Sequence, residues 1–161
     1  MDGMDGFPAY DELVAEEAEL QLPSFTYDDA WALGLRLVEL ARADGLPVAV
    51  DIRRGRQQVF HAGLPGSSSD NDHWIRRKVR VVERFGTSSL AVGQLWRERG
   101  TTFEQATGLD PARFAAAGGC FPVIVHGAGP VGTVAASGLP QVEDHRLLVR
   151  ALRAHLAAAS A

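Results

Sequence analysis

Two polar residues stand where the hydrophobic pattern calls for apolar ones, and they are the first candidates for chemistry. Lys78 falls in the middle of the stripe formed by Trp74, Ile75, Val79, Val81, Val82 and Phe85, and Asn71 shares that face. An ammonium on a buried face is costly unless it is paired. Lys78 is therefore expected to meet a carboxylate, meet carbonyls or line a wet cavity; the alternative is a chain that snorkels to the rim of a sheet. His145 likewise interrupts the stripe of Val142, Leu148, Val149, Leu152 and Leu156. Such a histidine is either a core residue satisfied by its neighbours or, with one carboxylate, a metal ligand or acid/base. Glu143 and Asp144 precede it in the first helical turn, where the helix dipole alone favours acids. At about 100° per residue the three side chains point in different directions, so they do not make a metal cluster by themselves.

Other chemistry is thin. The glycines of "GAGPVG" join two expected strands with no helix directly after, which does not suit a phosphate-cradling loop. "SSSD" lacks a His–Asp partnership. Cys120 is the only cysteine and reads as a buried small residue, with a reactive thiol as the alternative. His73, Arg76, Arg77, Arg80 and Arg84 gather on the other side of the Lys78 helix. That basic face suits a phosphate or an acidic partner, or else a solvated surface paired with the acidic N-terminal helix or another subunit. A net charge of −4 favours the solvated surface.

The elements that must position these residues follow from periodicity and punctuation. Residues 1–22 form an acidic extension, disordered to about residue 9 and helical over 10–21, with Leu13, Glu17 and Leu20 at helical spacing. Thr26 and Asp29 make a capping box for a helix whose inner face is Tyr27, Ala30, Trp31, Gly34, Leu37, Val38 and Ala41. Gly45 and Pro47 stop it. A hairpin over Val48–His61 turns near Arg54-Gly55. Asp70 can cap a long helix over Asn71–Phe85, and a shorter one follows Ser88 to Arg99. Residues 100–119 show no clear pattern, although "AAAGG" demands close packing. A second hairpin turns at Gly127 to Gly129, and Pro140 opens the last helix in its first turn. The order α, hairpin, α, α, hairpin, α predicts one α+β domain over residues 23–157, an antiparallel sheet flanked by helices, with a disordered tail at 158–161.

Composition narrows the class. With 161 residues, 46% of them hydrophobic and 22% charged, the chain suits a single domain with a real core. Its acidic balance gives no reason to seek nucleic acid or anionic membrane. No signal-peptide pattern or membrane-length apolar run is present, and a lone cysteine suits a reducing cytoplasm.

The segments "DNDHWIRRKVRVVERFGTSS" and "AAAGGCFPVIVHGAGPVGTVAASGLPQVEDHRLLVRAL" resemble the haem-degrading domain family, the group of GlcG-like and HbpS-like proteins. The similarity runs from about Thr26 to Leu156 and is closest to the short intracellular branch. It implies a profilin-like sheet of about five strands, and homo-oligomers from dimers to larger rings. Some relatives bind haem, which makes haem a possible cofactor here. The resemblance carries over Asn71, Trp74, Lys78, Gly118, Gly119, Ser137 and His145 as candidate ligand-binding residues. Asp70, Arg77, Glu143 and Asp144 are secondary candidates. In one respect the chain departs from the pattern: the branch often reads "AHGG" where Ala116-Ala117-Gly118-Gly119 stands, so one candidate ligand histidine is absent.

Three readings follow. In the first, the protein is an oligomeric binder of a small molecule, with haem as one candidate. Its pocket would lie where the Lys78 helix and the start of the last helix meet the sheet, with His145 as axial ligand or acid/base. In the second, it is an assembly or interaction protein whose buried polar residues fix packing. In the third, it is a hydrolase or lyase that pairs Lys78 with His145, although no complete catalytic constellation is present.

Overall fold

The structure, a computed structural model, describes residues 6–160. The expected disorder of residues 1–9 therefore falls, for its first five positions, outside the described residues, as does Ala161. The elements are α1 (Tyr10–Glu19), α2 (Tyr27–Ala43), β1 (Ala49–Arg54), β2 (Gln57–Gly63), α3 (Ser69–Phe85), α4 (Ser89–Glu98), α5 (Phe103–Thr107), β3 (Cys120–Val125), β4 (Gly129–Ser137) and α6 (Gln141–Ala159). All pairings within the sheet are antiparallel, in the order β2-β1-β4-β3. Among the described residues the sheet has four strands where about five were expected. A fifth position is reduced to one parallel bridge, Leu22 to Val125 at the β3 edge.

Alternation along the strands gives the sheet two apolar faces, and helices cover both. Val50, Ile52, Val134, Ala136, Phe121 and Val123 pack under α2 and α6 in the main core. Ala49, Ala135 and Cys120 face the other way, onto Ile75, Val79 and Val82 of α3. Helices α4 and α5 extend the α3 side, where Val81, Val92 and Phe103 cluster. Leu13 of α1 packs on Leu90 and Ala91 of α4. A ten-residue acidic helix is marginal alone; this docking stabilises it.

Local signals account for most boundaries. Thr26 Oγ1 accepts from the Asp29 backbone N–H at 3.0 Å, and Asp29 Oδ2 accepts from the Thr26 N–H at 2.8 Å, completing the capping box. The N-cap of α3 is Ser68 rather than Asp70, because Asn71 Oδ1 reaches back to the Ser68 N–H at 2.9 Å. Asp70 lies in the first turn instead. Pro140 is the N-cap of α6, just before the turn in which it was expected. The alanine-rich end of α6 stays helical to Ala159, as the high helix propensity of alanine favours. In the unpatterned stretch 100–119, Thr102 caps the short α5 and Gly108 ends it in the left-handed conformation.

Helix α2 is rotated from its expected face. Gly34 lies so close to the Phe60 ring that an added Cβ would stand 2.4 Å from it. That approach seats Ala30, Leu33, Leu37 and Ala41 in the core and turns Tyr27 and Trp31 outward, each 56% exposed. Trp31 remains edge-on to Phe60 at 5.4 Å.

Candidate functional site

Lys78 is buried, and its ammonium is fully used. Nζ donates to the carbonyls of Ala136 at 2.9 Å and Gly118 at 3.0 Å, and lies 3.4 Å from Asp144 Oδ2. One side chain on α3 thereby ties together the segment before β3, the end of β4 and the first turn of α6. Burial pulls the Lys78 ammonium below the ordinary lysine value, with the Asp144 carboxylate opposing. Burial likewise pushes Asp144 up to about 6, against the charge of Lys78 and the N–H groups of Leu139 and Gly138. Asp144 Oδ1 accepts from the Leu139 N–H at 3.0 Å.

The two glycines of "AAAGG" serve two close approaches, Gly119 to the lysine and Gly118 to the start of α6. At Gly119 φ is +126°, and a Cβ there would lie 2.3 Å from Lys78 Nζ and 2.4 Å from the Ala136 oxygen. A Cβ on Gly118 would lie 2.2 Å from the Gln141 oxygen. Only a residue without a side chain at Gly119 lets the ammonium reach the Ala136 carbonyl, and only one at Gly118 lets that segment lie against the first residue of α6.

Above the pinned lysine is a cavity of about 380 Å³, lined by Asn71, Trp74, Lys78, Ser137, Gln141 and Asp144 among others. Asn71 commits its carbonyl to Ser68, and Gln141 Oε1 accepts from the Gly118 N–H at 3.0 Å. What these amides leave toward the cavity is N–H. Asn71 Nδ2 reaches Ser137 Oγ at 3.4 Å. Ser137 and Trp74, both in the lining, carry a hydroxyl and an indole N–H as further donor groups. Arg77 lies over the Trp74 ring at 4.4 Å and donates twice to the Pro111 carbonyl, at 3.1 and 2.7 Å.

His145 is not in this cavity. Although adjacent to Asp144, it projects to the far side of α6, where Nε2 lies 2.7 Å from Glu16 Oε1 of α1. Its ring is tilted against Phe121 at 5.7 Å, and the buried Nδ1 has no partner. Beside it, Glu17 accepts from the Ser88 N–H at 3.0 Å and from the Thr87 hydroxyl, and burial raises its pKa. The acid/base pairing of Lys78 with His145 therefore does not form: consecutive helical positions separate Asp144 and His145 by about 100°.

Of the sequence candidates, Asn71, Trp74, Lys78, Gly118, Ser137 and Asp144 come together, with Gly119 directly beneath Lys78. Asp70 is exposed, Glu143 pairs with Arg146 at 3.0 Å on the surface, and Arg77 supports Trp74 from outside. Gln141 was missed; its signal was a side chain able to accept, one residue after a proline at a helix start. Glu16 and Glu17 were missed as partners of His145 and Ser88, although Glu17 interrupts the Leu13–Leu20 stripe just as Lys78 interrupts its own. A larger cavity, about 770 Å³, lies elsewhere, bounded by Phe25, Pro122, Pro130 and the two hairpins. It contains none of the expected site residues.

Fold and cavity define the class: an α+β domain with a four-stranded antiparallel sheet between helices and one lysine pinned beneath a polar cavity. The family described as "Haem degrading protein HbpS-like" matches residues 25–153, and the chain belongs to that family. It is 65% identical over 145 residues to a UPF0303 protein of Streptomyces avermitilis, covering 90% of this chain and 89% of the relative. Its fold is similar to the crystal structure of the Ybr137w protein, with a TM-score of 0.85 and 32% identity over 93% of this chain and 88% of that one. A PduOC:heme complex shares the fold at a TM-score of 0.68 and 16% identity, over 81% and 94% of the two chains. Among the described residues no helix is long and apolar enough to cross a membrane.

Proposed function

We propose that the protein binds a small, oxygen-rich molecule in the Lys78 cavity and acts as a homo-oligomer. The observation that carries this reading is the donor-rich lining. Asn71, Gln141, Ser137 and Trp74 supply N–H and O–H groups above a buried ion pair, in a volume within the range of ligand pockets. A carbonyl or carboxylate ligand answers that lining. Lys78 is not the hand that holds it, because its donors are spent on Gly118, Ala136 and Asp144. Assembly is supported by the outward row Tyr27, Trp31 and Leu35 on α2, each at least half exposed.

Haem is the ligand that the PduOC complex holds, and the family's description names haem degradation. The residues of the Lys78 cavity do not fit it. The lining offers no histidine, cysteine, methionine or tyrosine, and its one lysine is fully engaged. His145 is buried against Phe121 and Glu16, outside the cavity.

A second reading is favoured by the saturation of Lys78 itself. A lysine with two carbonyls and a carboxylate is complete as a structural pin, which suits an assembly protein with no chemistry of its own. The two readings separate on Trp74 fluorescence during titration with small carboxylates and keto acids. Saturable quenching that Ser137→Leu abolishes supports binding. An identical response in both proteins contradicts it.

A further inference from the structure

We propose that the cleft between the β1–β2 hairpin, the outer side of α3 and the segment 110–114 binds a small molecule carrying two or more phosphate groups. Six arginines from three separate stretches converge there: Arg53 and Arg56 from the hairpin, Arg76, Arg80 and Arg84 from α3, and Arg113. The cleft encloses about 460 Å³ and shares no lining residue with the Lys78 cavity. Glu83 is the one carboxylate in its lining.

Such a concentration of like charge in a chain of net charge −4 is not a general basic surface. Guanidinium groups that share one cleft repel one another unless an anion lies between them. Among the described residues, side-chain carboxylates supply little of that neutralisation. Arg53 Nε is engaged by Asp51 at 3.0 Å, but no carboxylate lies within ion-pair distance of Arg56, Arg76, Arg80, Arg84 or Arg113. The acidic helix α1 does not cover the cleft. It lies against α4 and α6, with Glu16 on His145, Glu17 on Ser88 and Glu19 beside Arg153.

Part of the cluster is held in place beforehand. Arg80 Nη1 donates to the Arg113 carbonyl at 3.2 Å, and Arg84 lies over the Phe114 ring at 5.9 Å. Arg77, whose two bonds to the Pro111 carbonyl anchor the segment, fixes the far wall. Planar guanidinium forks match phosphate oxygens in pairs, and fixing them beforehand lowers the ordering cost of binding. The acidic remainder of the molecule repels a polyanionic polymer, so a ligand small enough to sit inside the cleft fits better than a nucleic acid.

Calorimetric titration of the intact protein with pyrophosphate and tripolyphosphate, at ionic strength held constant with sodium chloride, tests this. Saturable binding at one site per chain is expected. It should weaken at least tenfold in Arg56→Gln/Arg84→Gln, two exposed residues whose replacement spares the core, while Arg150→Gln/Arg153→Gln on α6 leaves it unchanged. Four results would overturn the proposal: no saturable heat, equal affinity in the cleft variant, citrate binding as tightly as tripolyphosphate, or cleft substitutions that alter only the mass of the assembly.

Discussion

Lys78 Nζ lies 3.4 Å from Asp144 Oδ2, joining α3 to the first turn of α6 across 66 positions of sequence. Two backbone carbonyls complete the lysine's shell, so the pair acts as a pin through the layer that forms the cavity floor. Single substitutions should expose this coupling. Lys78→Met leaves a buried carboxylate without its counter-ion and is expected to cost about 3–5 kcal/mol in denaturant unfolding. Lys78→Met/Asp144→Leu removes both charges and should recover much of that loss. Additive losses would mean the pair is not coupled.

The glycines beneath the lysine give a backbone test. Gly119→Ala meets Lys78 Nζ and the Ala136 carbonyl at a φ of +126°, so it should destabilise well beyond the cost of conformation alone. Gly45→Ala is the control, with φ at +64° and open space around its Cβ. There only the left-handed penalty of about 1–2 kcal/mol applies. Equal losses in thermal melts of the two variants would contradict the close approach.

Asp144 also predicts a pH dependence. Its folded pKa, raised from 3.8 to about 6, means that the native chain holds this proton more tightly than the unfolded one. Its contribution is fully present below about pH 4 and is lost as pH climbs through about 6, a change on the order of 2–3 kcal/mol. Glu17, also raised by burial, acts in the same direction. The lowered Lys78 pKa acts oppositely, toward alkaline pH. Unfolding curves at pH 4.5 and 7 should show a smaller difference in Asp144→Asn than in the parent.

Cys120 is fully buried, and burial raises its pKa far above the ordinary thiol value. The folded protein should not react with Ellman's reagent on the timescale of minutes, whereas denatured protein should release one equivalent. Prompt reaction of the native thiol would place Cys120 in an open site.

His145 fastens α1 rather than lining a cavity. His145→Ala should loosen α1, read as faster amide exchange over Tyr10–Glu19, while ligand-dependent quenching of Trp74 stays as in the parent. Protection unchanged in α1 would break the assigned contact with Glu16.

The fold was largely legible because capping residues and two-residue periodicity act locally: Thr26 with Asp29, and the alternation of Val48, Val50 and Ile52, needed no distant partner. The face of α2 was legible in part: Ala30, Gly34, Leu37 and Ala41 are buried as expected, but Tyr27 and Trp31 turn outward where the Phe60 ring meets Gly34, a contact between residues far apart in sequence. The site was half legible. Lys78 announced itself as a charge in an apolar stripe, but which acid it met was fixed by the turn at Gly138-Leu139, which aims Asp144 inward. His145 carried the same kind of signal for a different reason. Its partner, Glu16, lies in an acidic helix with no marked pattern except Leu13, Glu17 and Leu20.

The most direct test of the central claim is native mass spectrometry of the intact protein beside Ser137→Leu, a substitution that fills the Lys78 cavity without touching the pin. The predicted result is a defined homo-oligomer in both, with a bound molecule smaller than haem on the parent and none on the variant. A haem-mass adduct, or any adduct retained equally by Ser137→Leu, would contradict it.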